Sequence, residues 1–167
     1  MSQRTISHIT KEAFNNFSVS KMYFRLLFIL LPLIIFTYEY ENCGSNPDTL
    51  LSVWVSGCEE TEKCILQKGT DASIEITFTS VESNTVTAKV YGVFSGGLIT
   101  TEFPFPYPNA CLNSGLTCPI RASETYTYQT SLFVHPTYPK ISVDVKWQLV
   151  DDAGNDIVCV IIPAKIN

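Results

Sequence analysis

Apolar and polar residues alternate with a period of two along five segments of the chain. The apolar positions that share a face are Leu51, Val53 and Val55; Ile74, Ile76 and Phe78; Val86, Ala88, Val90 and Phe94; Tyr126, Tyr128, Leu132 and Val134; and Val143, Val145, Trp147 and Leu149. Successive side chains of a strand point to opposite faces, so this pattern predicts strands with one buried face. A sixth segment, 157–162, is apolar throughout. It predicts a strand in the centre of a sheet or against a pocket.

Turn-forming residues separate these segments. They are Lys68-Gly69, Ser83-Asn84, Gly96-Gly97, the proline-rich FPFPYP from Phe103, and the DDAGN stretch at 151–155. No segment after Glu39 has a helical period. Seven or so short antiparallel strands at this spacing predict one all-β domain, an immunoglobulin-like sandwich of two antiparallel sheets.

A continuous apolar run, Leu26–Phe36, follows a cationic start. This pattern is typical of a signal peptide, whereas a membrane-spanning helix needs about 20 apolar residues. We therefore expect residues 22–38 to be a signal peptide that is removed, with retention as a membrane anchor as the alternative. Signal peptides begin at the N-terminus, so residues 1–21 are interpreted as a gene-model extension or a disordered leader. The mature domain is then 39–167.

The composition of the mature part excludes some classes of partner. The chain has 46% apolar and 16% charged residues, which predicts a folded core rather than disorder. From Glu39 onward it carries seven Lys and Arg against fifteen Asp and Glu, a net charge of −8. An acidic domain lacks the basic surface that binding to nucleic acid requires, so no nucleic-acid partner is expected.

All six cysteines follow the apolar run. They are Cys43, Cys58, Cys64, Cys111, Cys118 and Cys159. An even number in an oxidising compartment predicts three disulfides. Two neighbouring pairs have five and six intervening residues, and each can close a small loop. The outermost pair would then join the two ends of the domain. A zinc site is disfavoured, because the spacings are long for zinc and one histidine, His135, follows the apolar run.

Short motifs around the cysteines are similar to those of a known family. CGS at Cys43, KG at Lys68, FTS at Phe78, CPI at Cys118, TYTY at Thr125 and WQLVDD at Trp147 occur in this order. Over residues 42–166 the chain resembles the Niemann-Pick C type 2 family of ML lipid-recognition domains. The resemblance implies an apolar cavity between the two sheets that holds a sterol or another single lipid, without a cofactor. It also implies the pairing Cys43–Cys159, Cys58–Cys64 and Cys111–Cys118.

The resemblance also assigns lipid-binding residues by motif. They are Val55, Phe103, Val134, Tyr138 and Trp147, with Phe105 as an alternative to Phe103 because the loop before Cys111 differs in length. For the aromatic residues among them, packing in the structural core is the alternative interpretation, and for Trp147 the two interpretations are equally favoured. The alternation of Phe103 and Phe105 with prolines predicts exposed loop aromatics. We expect this segment to form the pocket mouth and to contact a membrane or a receiving protein.

Catalysis is not predicted. His135 precedes a proline and is interpreted as a surface residue, with proton sensing during lipid release as the alternative. Asp151 and Asp152, followed by Ala-Gly-Asn, fit a hairpin turn better than an acid-base pair. We therefore expect a binding protein with no catalytic residue, metal or cofactor.

Three functions remain open. The first is a secreted monomer that carries a sterol and delivers it through transient contact with a membrane or a membrane transporter. The second is an extracellular carrier of fatty acids or semiochemical-type lipids, and the third is an innate-immune lipid co-receptor. The third needs cationic residues at the rim, for which Arg121 and Lys140 are the candidates. The resemblance implies that delivery to the lysosome depends on a mannose-6-phosphate tag carried by a glycan, as in mammalian members of the family. No Asn-x-Ser/Thr acceptor follows Asn42, so we expect secretion rather than the lysosome lumen.

Overall fold

Two β-sheets account for the regular structure of the described residues. The computed structural model describes residues 40–46, 48–58 and 62–167, so the predicted leader and signal peptide lie outside the described residues. Within those ranges no helix is long and apolar enough to cross a membrane. The strands are β1 Glu41–Asn42, β2 Leu50–Val55, β3 Cys64–Leu66, β4 Asp71–Thr79, β5 Thr87–Phe94, β6 Ile99–Phe103, β7 Thr125–Phe133, β8 Ser142–Val150 and β9 Asp156–Ile166.

The larger sheet has the strand order β1-β9-β8-β5-β6, and β3 also pairs with β9. The smaller sheet has the order β2-β4-β7. All pairs are antiparallel except β3 with β9, which is parallel. One buried apolar cluster contains residues from both sheets, which confirms the predicted two-sheet sandwich.

The predicted inner faces carry the core. Ile76, Phe78 and Leu149 are completely buried on β4 and β8, because every second residue of these strands points between the sheets. Strand β9 is an internal strand, with β8 on one side and β1 and β3 on the other. Its apolar stretch is therefore in the centre of a sheet, as its sequence predicted.

One inner-face prediction is wrong. Leu50 pairs with Phe78, but Ser52 pairs with the adjacent Thr77, so the register shifts between Leu50 and Ser52. This β-bulge leaves one extra residue on β2 and changes the side to which it points. Leu51 is consequently 53% exposed, and Leu50 packs against the core in its place.

The three disulfides pair as the family resemblance implied: Cys43–Cys159, Cys58–Cys64 and Cys111–Cys118. The longest of these loops is reinforced by a buried serine. The Ser45 hydroxyl donates to the carbonyl oxygen of Cys159 at 3.1 Å and accepts from its backbone N–H at 2.6 Å. The segment after β1 is thus fixed to the centre of the larger sheet.

The two ends of the sandwich differ. At the closed end, defined by Ser83, Val86, Ile120 and Leu149, all four side chains are at most 2% exposed. Here Ser83 and Ile120 exchange two backbone hydrogen bonds, at 2.9 and 3.1 Å. The opposite, open end has apolar side chains that are partly or mostly exposed. Phe94, Leu98 and Ile99 lie at the β5–β6 turn, and Phe133 and Tyr138 lie at the end of β7 and in the loop 134–141.

Candidate functional site

Three aromatic rings meet between the sheets. Trp147 projects from β8 and Tyr128 from β7, so the two come from opposite sheets, and their ring centroids are 6.2 Å apart. Phe105, just after β6, packs edge-on against Trp147 at 5.1 Å. We call Phe105, Tyr128 and Trp147 the aromatic cluster. It occupies the place where the family resemblance put an apolar cavity, and its members are all buried.

The six predicted lipid-binding residues form two groups. Val55, Phe105 and Trp147 belong to the buried core, and Phe103 packs against that core. Phe103 also makes an edge-on contact with Tyr138, with ring centroids 6.2 Å apart. Phe103 therefore lies between the buried core and Tyr138 at the open end.

The loop that carries Val134 and Tyr138 is held by polar contacts. Val134 is buried, its backbone N–H donates to Thr70 O at 2.9 Å, and its carbonyl accepts from Gly69 N at 2.7 Å. The Lys68 ammonium donates to Tyr138 O at 2.8 Å. These bonds keep the Tyr138 ring beside Phe103 at the edge of the core.

The prediction that Phe103 and Phe105 are exposed loop aromatics is wrong. Phe103 is the last residue of β6 and pairs with Val90, while Phe105 is only 9% exposed. A residue before proline is restricted to extended backbone, and here that backbone continues past the end of β6 and turns both phenylalanines toward the core. The exposed aromatic of the segment is Tyr107, at 62%.

Tyr128 was not predicted as a site residue, since nothing in its strand pattern distinguishes it from its inward-facing neighbours. In the structure the Tyr128 hydroxyl and the Trp147 indole N–H are buried and lack a hydrogen-bond partner. Burial raises the pKa of Tyr128, and the nearby Thr130 and Trp147 side chains offset part of that effect. The hydroxyl therefore stays protonated. An unpaired buried donor costs about 1–3 kcal/mol, so the aromatic cluster offers two donors to any ligand that enters it.

The open end carries exposed apolar side chains on the β5–β6 turn. Leu98 is 85% exposed at the β5–β6 turn, and Ile99 follows it as the first residue of β6. Across from them, the His135 ring lies between Phe133 and Tyr138, with centroid distances of 6.2 and 5.9 Å. His135 is an exposed loop residue, as the sequence predicted, and its Nδ1 is 2.7 Å from the Thr137 hydroxyl.

The chain is similar in sequence to known proteins. A family model described as an ML domain matches residues 37–166. The NPC intracellular cholesterol transporter 2 homolog a of Drosophila melanogaster is 44% identical over 131 residues, covering 77% of this chain and 86% of that protein. The NPC intracellular cholesterol transporter 2 of Mus musculus is 41% identical over 129 residues, covering 77% of this chain and 84% of that protein.

Two solved structures share the fold. A Niemann-Pick type C2 protein from Japanese carpenter ant superposes with a TM-score of 0.71 at 30% identity, covering 78% of this chain and 100% of that one. Chicken MD-1, crystallised with lipid IVa, gives a TM-score of 0.51 at 13% identity, covering 78% of this chain and 94% of that one. The second similarity concerns the fold alone.

Proposed function

The chain belongs to the ML-domain family, in its Niemann-Pick C type 2 group, and from that membership we propose that it is a secreted, monomeric, non-enzymatic carrier of one sterol. Two of its relatives are cholesterol transporters by name. The observation that supports the proposal is a set of apolar contacts, which we call the lipid path: Phe105 packs on Trp147 in the core, Phe103 packs against that core, and Phe103 contacts Tyr138 at the open end. The bound sterol lies between the two sheets along this path.

Binding follows from the hydrophobic effect. Each Å² of apolar surface removed from water contributes about 25 cal/mol, and the walls of the path are the apolar side chains that family membership assigns to lipid. Phe105 and Trp147 pack against each other in the structure, so the ligand enters by separating them. The partly exposed rings of Phe103 and Tyr138 stand where that separation begins.

Delivery uses the open end. Leu98 and Ile99 project from a turn whose residues Gly96 and Gly97 adopt φ values of 67° and 95°, which glycine reaches without strain. Apolar side chains on such a turn enter the interface of a bilayer more readily than the partly exposed Phe103 or the buried Phe105. Transient contact of this turn with a membrane or a membrane transporter would place the outer end of the lipid path next to the site that receives the lipid.

A second candidate is the carrier of fatty acids or semiochemical-type lipids. It is favoured by the two unpaired donors, Tyr128 hydroxyl and Trp147 N–H, because a carboxyl or carbonyl oxygen at the buried end of a ligand would accept from both. An immune co-receptor is disfavoured. Of its two candidate rim cations, Lys140 lies in the open-end loop, whereas Arg121 follows Ile120 at the closed end.

Native mass spectrometry of the secreted protein, with extraction of the bound lipid and competition by cholesterol and oleate, tests these functions. A monomer with a co-purified sterol that cholesterol displaces is the expected result. Fatty acids that oleate displaces, with no competition from cholesterol, would replace the first function by the second. Protein that binds neither lipid, although it unfolds cooperatively, would contradict both.

A further inference from the structure

The outer face of the smaller sheet carries a cleft whose lining includes Tyr128 but neither Phe105 nor Trp147 of the aromatic cluster. Its volume is about 800 Å³, and none of the six predicted lipid-binding residues lines it. The sheet forms its floor and the segment that follows Phe105 forms its wall. We call it the outer cleft; its principal residues are Trp54, Glu75, Tyr107, Leu112, Asn113 and Gln129.

The floor is one row of side chains across three strands. Trp54 on β2 pairs with Glu75 on β4, which pairs with Gln129 on β7. These residues alternate with the buried Ile74, Ile76 and Tyr128, so they point away from the core. The Gln129 amide donates to Glu75 Oε2 at 2.6 Å, which fixes the carboxylate next to the indole, itself 48% exposed.

Three polar side chains of the outer cleft are not used by the protein itself. The hydroxyls of Ser73 and Ser131, on neighbouring strands, and the Asn113 amide make no hydrogen bond to any other described residue. By contrast, Thr77 and Thr127, four residue pairs farther along the same two strands and on the same face, are hydrogen-bonded to each other at 3.1 Å. The outer cleft therefore presents free donors and acceptors.

The charge of the lining limits the class of ligand. Glu75 is its one charged residue, and the lining contains no Lys, Arg or His. A phosphorylated or carboxylated ligand would meet a partly buried carboxylate without a compensating cation, which is unfavourable. An apolar lipid tail would leave the Ser, Asn, Gln and Glu side chains without partners. The lining suits a neutral ligand rich in hydroxyl groups.

We propose that the outer cleft binds a short neutral oligosaccharide, with one pyranose ring stacked on Trp54 and its hydroxyls hydrogen-bonded to Glu75 and Gln129. The flat C–H face of a pyranose matches an exposed indole, which has a large apolar face. A carboxylate and a primary amide held side by side supply acceptors and donors for adjacent hydroxyls. Tyr107 and Leu112, each 62% exposed on the wall, bound the space for a second sugar unit.

Ligand-observed NMR titration with cellotriose, maltotriose and chitotriose tests the proposal on the mature protein. We expect at least one trisaccharide to bind. Trp54→Ala should weaken its affinity by about tenfold through loss of stacking, and Glu75→Ala by about tenfold through loss of charged hydrogen bonds. Leu51→Ala is the matched control, because Leu51 is equally exposed on the same strand but does not line the cleft.

The sugar can belong to a soluble glycan or to a glycolipid headgroup, and a second arm separates these sources. Flotation with phosphatidylcholine vesicles, with and without glucosylceramide, measures binding to the membrane-bound sugar. Binding only to glucosylceramide vesicles that Trp54→Ala weakens identifies a headgroup. Absence of binding in both arms, or binding unchanged in Trp54→Ala, overturns the proposal. Cholesterol binding by the same samples reports the lipid path separately.

Discussion

The closed and open ends of the sandwich are made by the same strands, yet they differ in packing. At the closed end the Ser83 hydroxyl donates to Thr85 O at 2.7 Å and accepts from Asp152 N at 3.1 Å. Leu149 beneath it is fully buried. At the open end Leu98 and Ile99 contribute little buried surface. More side-chain surface is therefore buried at the closed end, and the proposed exchange of lipid at the open end would disturb fewer buried contacts.

The largest effect on stability is expected from the disulfide that joins the ends of the domain. Cys43 and Cys159 are 116 residues apart, whereas Cys58 and Cys64 are 6 apart. Chain entropy predicts a loss of on the order of 4 to 5 kcal/mol on replacing Cys43 and Cys159 by serine, and of about 2 kcal/mol for the short loop. Urea unfolding of the two double variants measures both losses. A larger loss for the short loop would contradict the prediction.

A pair of truncations tests the two ends directly. Leu149→Ala removes a fully buried side chain at the closed end and should lower the free energy of unfolding by about 2–5 kcal/mol. Ile99→Ala removes a side chain that is 55% exposed at the open end and should change it by less than about 0.5 kcal/mol. Equal losses in urea unfolding would mean that both ends stabilise the fold alike.

The rate of sterol transfer, unlike the free energy of unfolding, should depend on the open end rather than on the closed end. Replacing Leu98 and Ile99 by serine removes the apolar tip of the open end, so the rate of sterol transfer between vesicles should fall about tenfold while equilibrium binding and stability stay unchanged. Val81→Ser is the matched control, because Val81 is 47% exposed and neighbours the closed end in sequence. A transfer rate that is unaffected by the double change, or equally reduced by Val81→Ser, would contradict the proposed role of the open end.

Much of the fold could be predicted from the sequence, because period-two alternation is a local property. Most inner-face positions, the internal position of β9 and the turn at 151–155 are confirmed. The bulge that exposes Leu51 could not be predicted, since it depends on which residue of β4 lies opposite. The burial of Phe105 was missed for a similar reason: its partner, Trp147, is 42 residues away in sequence.

The residues of the two candidate sites were harder to predict than the fold, because the register between strands that are distant in sequence brings them together. Family resemblance supplied six candidate residues, and the structure links five of them through core packing and the contact of Phe103 with Tyr138. Tyr128 and the row of Trp54, Glu75 and Gln129 carry no motif. They become visible only when pairing of β2, β4 and β7 places them together.

The smallest expected effect concerns acid stability at the closed end. The Asp152 carboxylate accepts from the Asn84 backbone N–H and side-chain amide at 3.1 and 2.8 Å, and these bonds hold its pKa below the usual value. A carboxylate whose pKa is lower in the folded than in the unfolded state stabilises the fold at pH values above its unfolded-state pKa. This contribution is lost as the pH falls through the folded-state pKa. Asp152→Asn should therefore be less stable than the parent at pH 7, with a difference that shrinks below about pH 4. Urea unfolding at several pH values measures that difference. Asp71→Asn is the control, because Asp71 is exposed and its carboxylate accepts no hydrogen bond from a side chain of the described residues. If the difference between Asp152→Asn and the parent stayed constant with pH, the Asn84 contacts would not stabilise the ionised carboxylate.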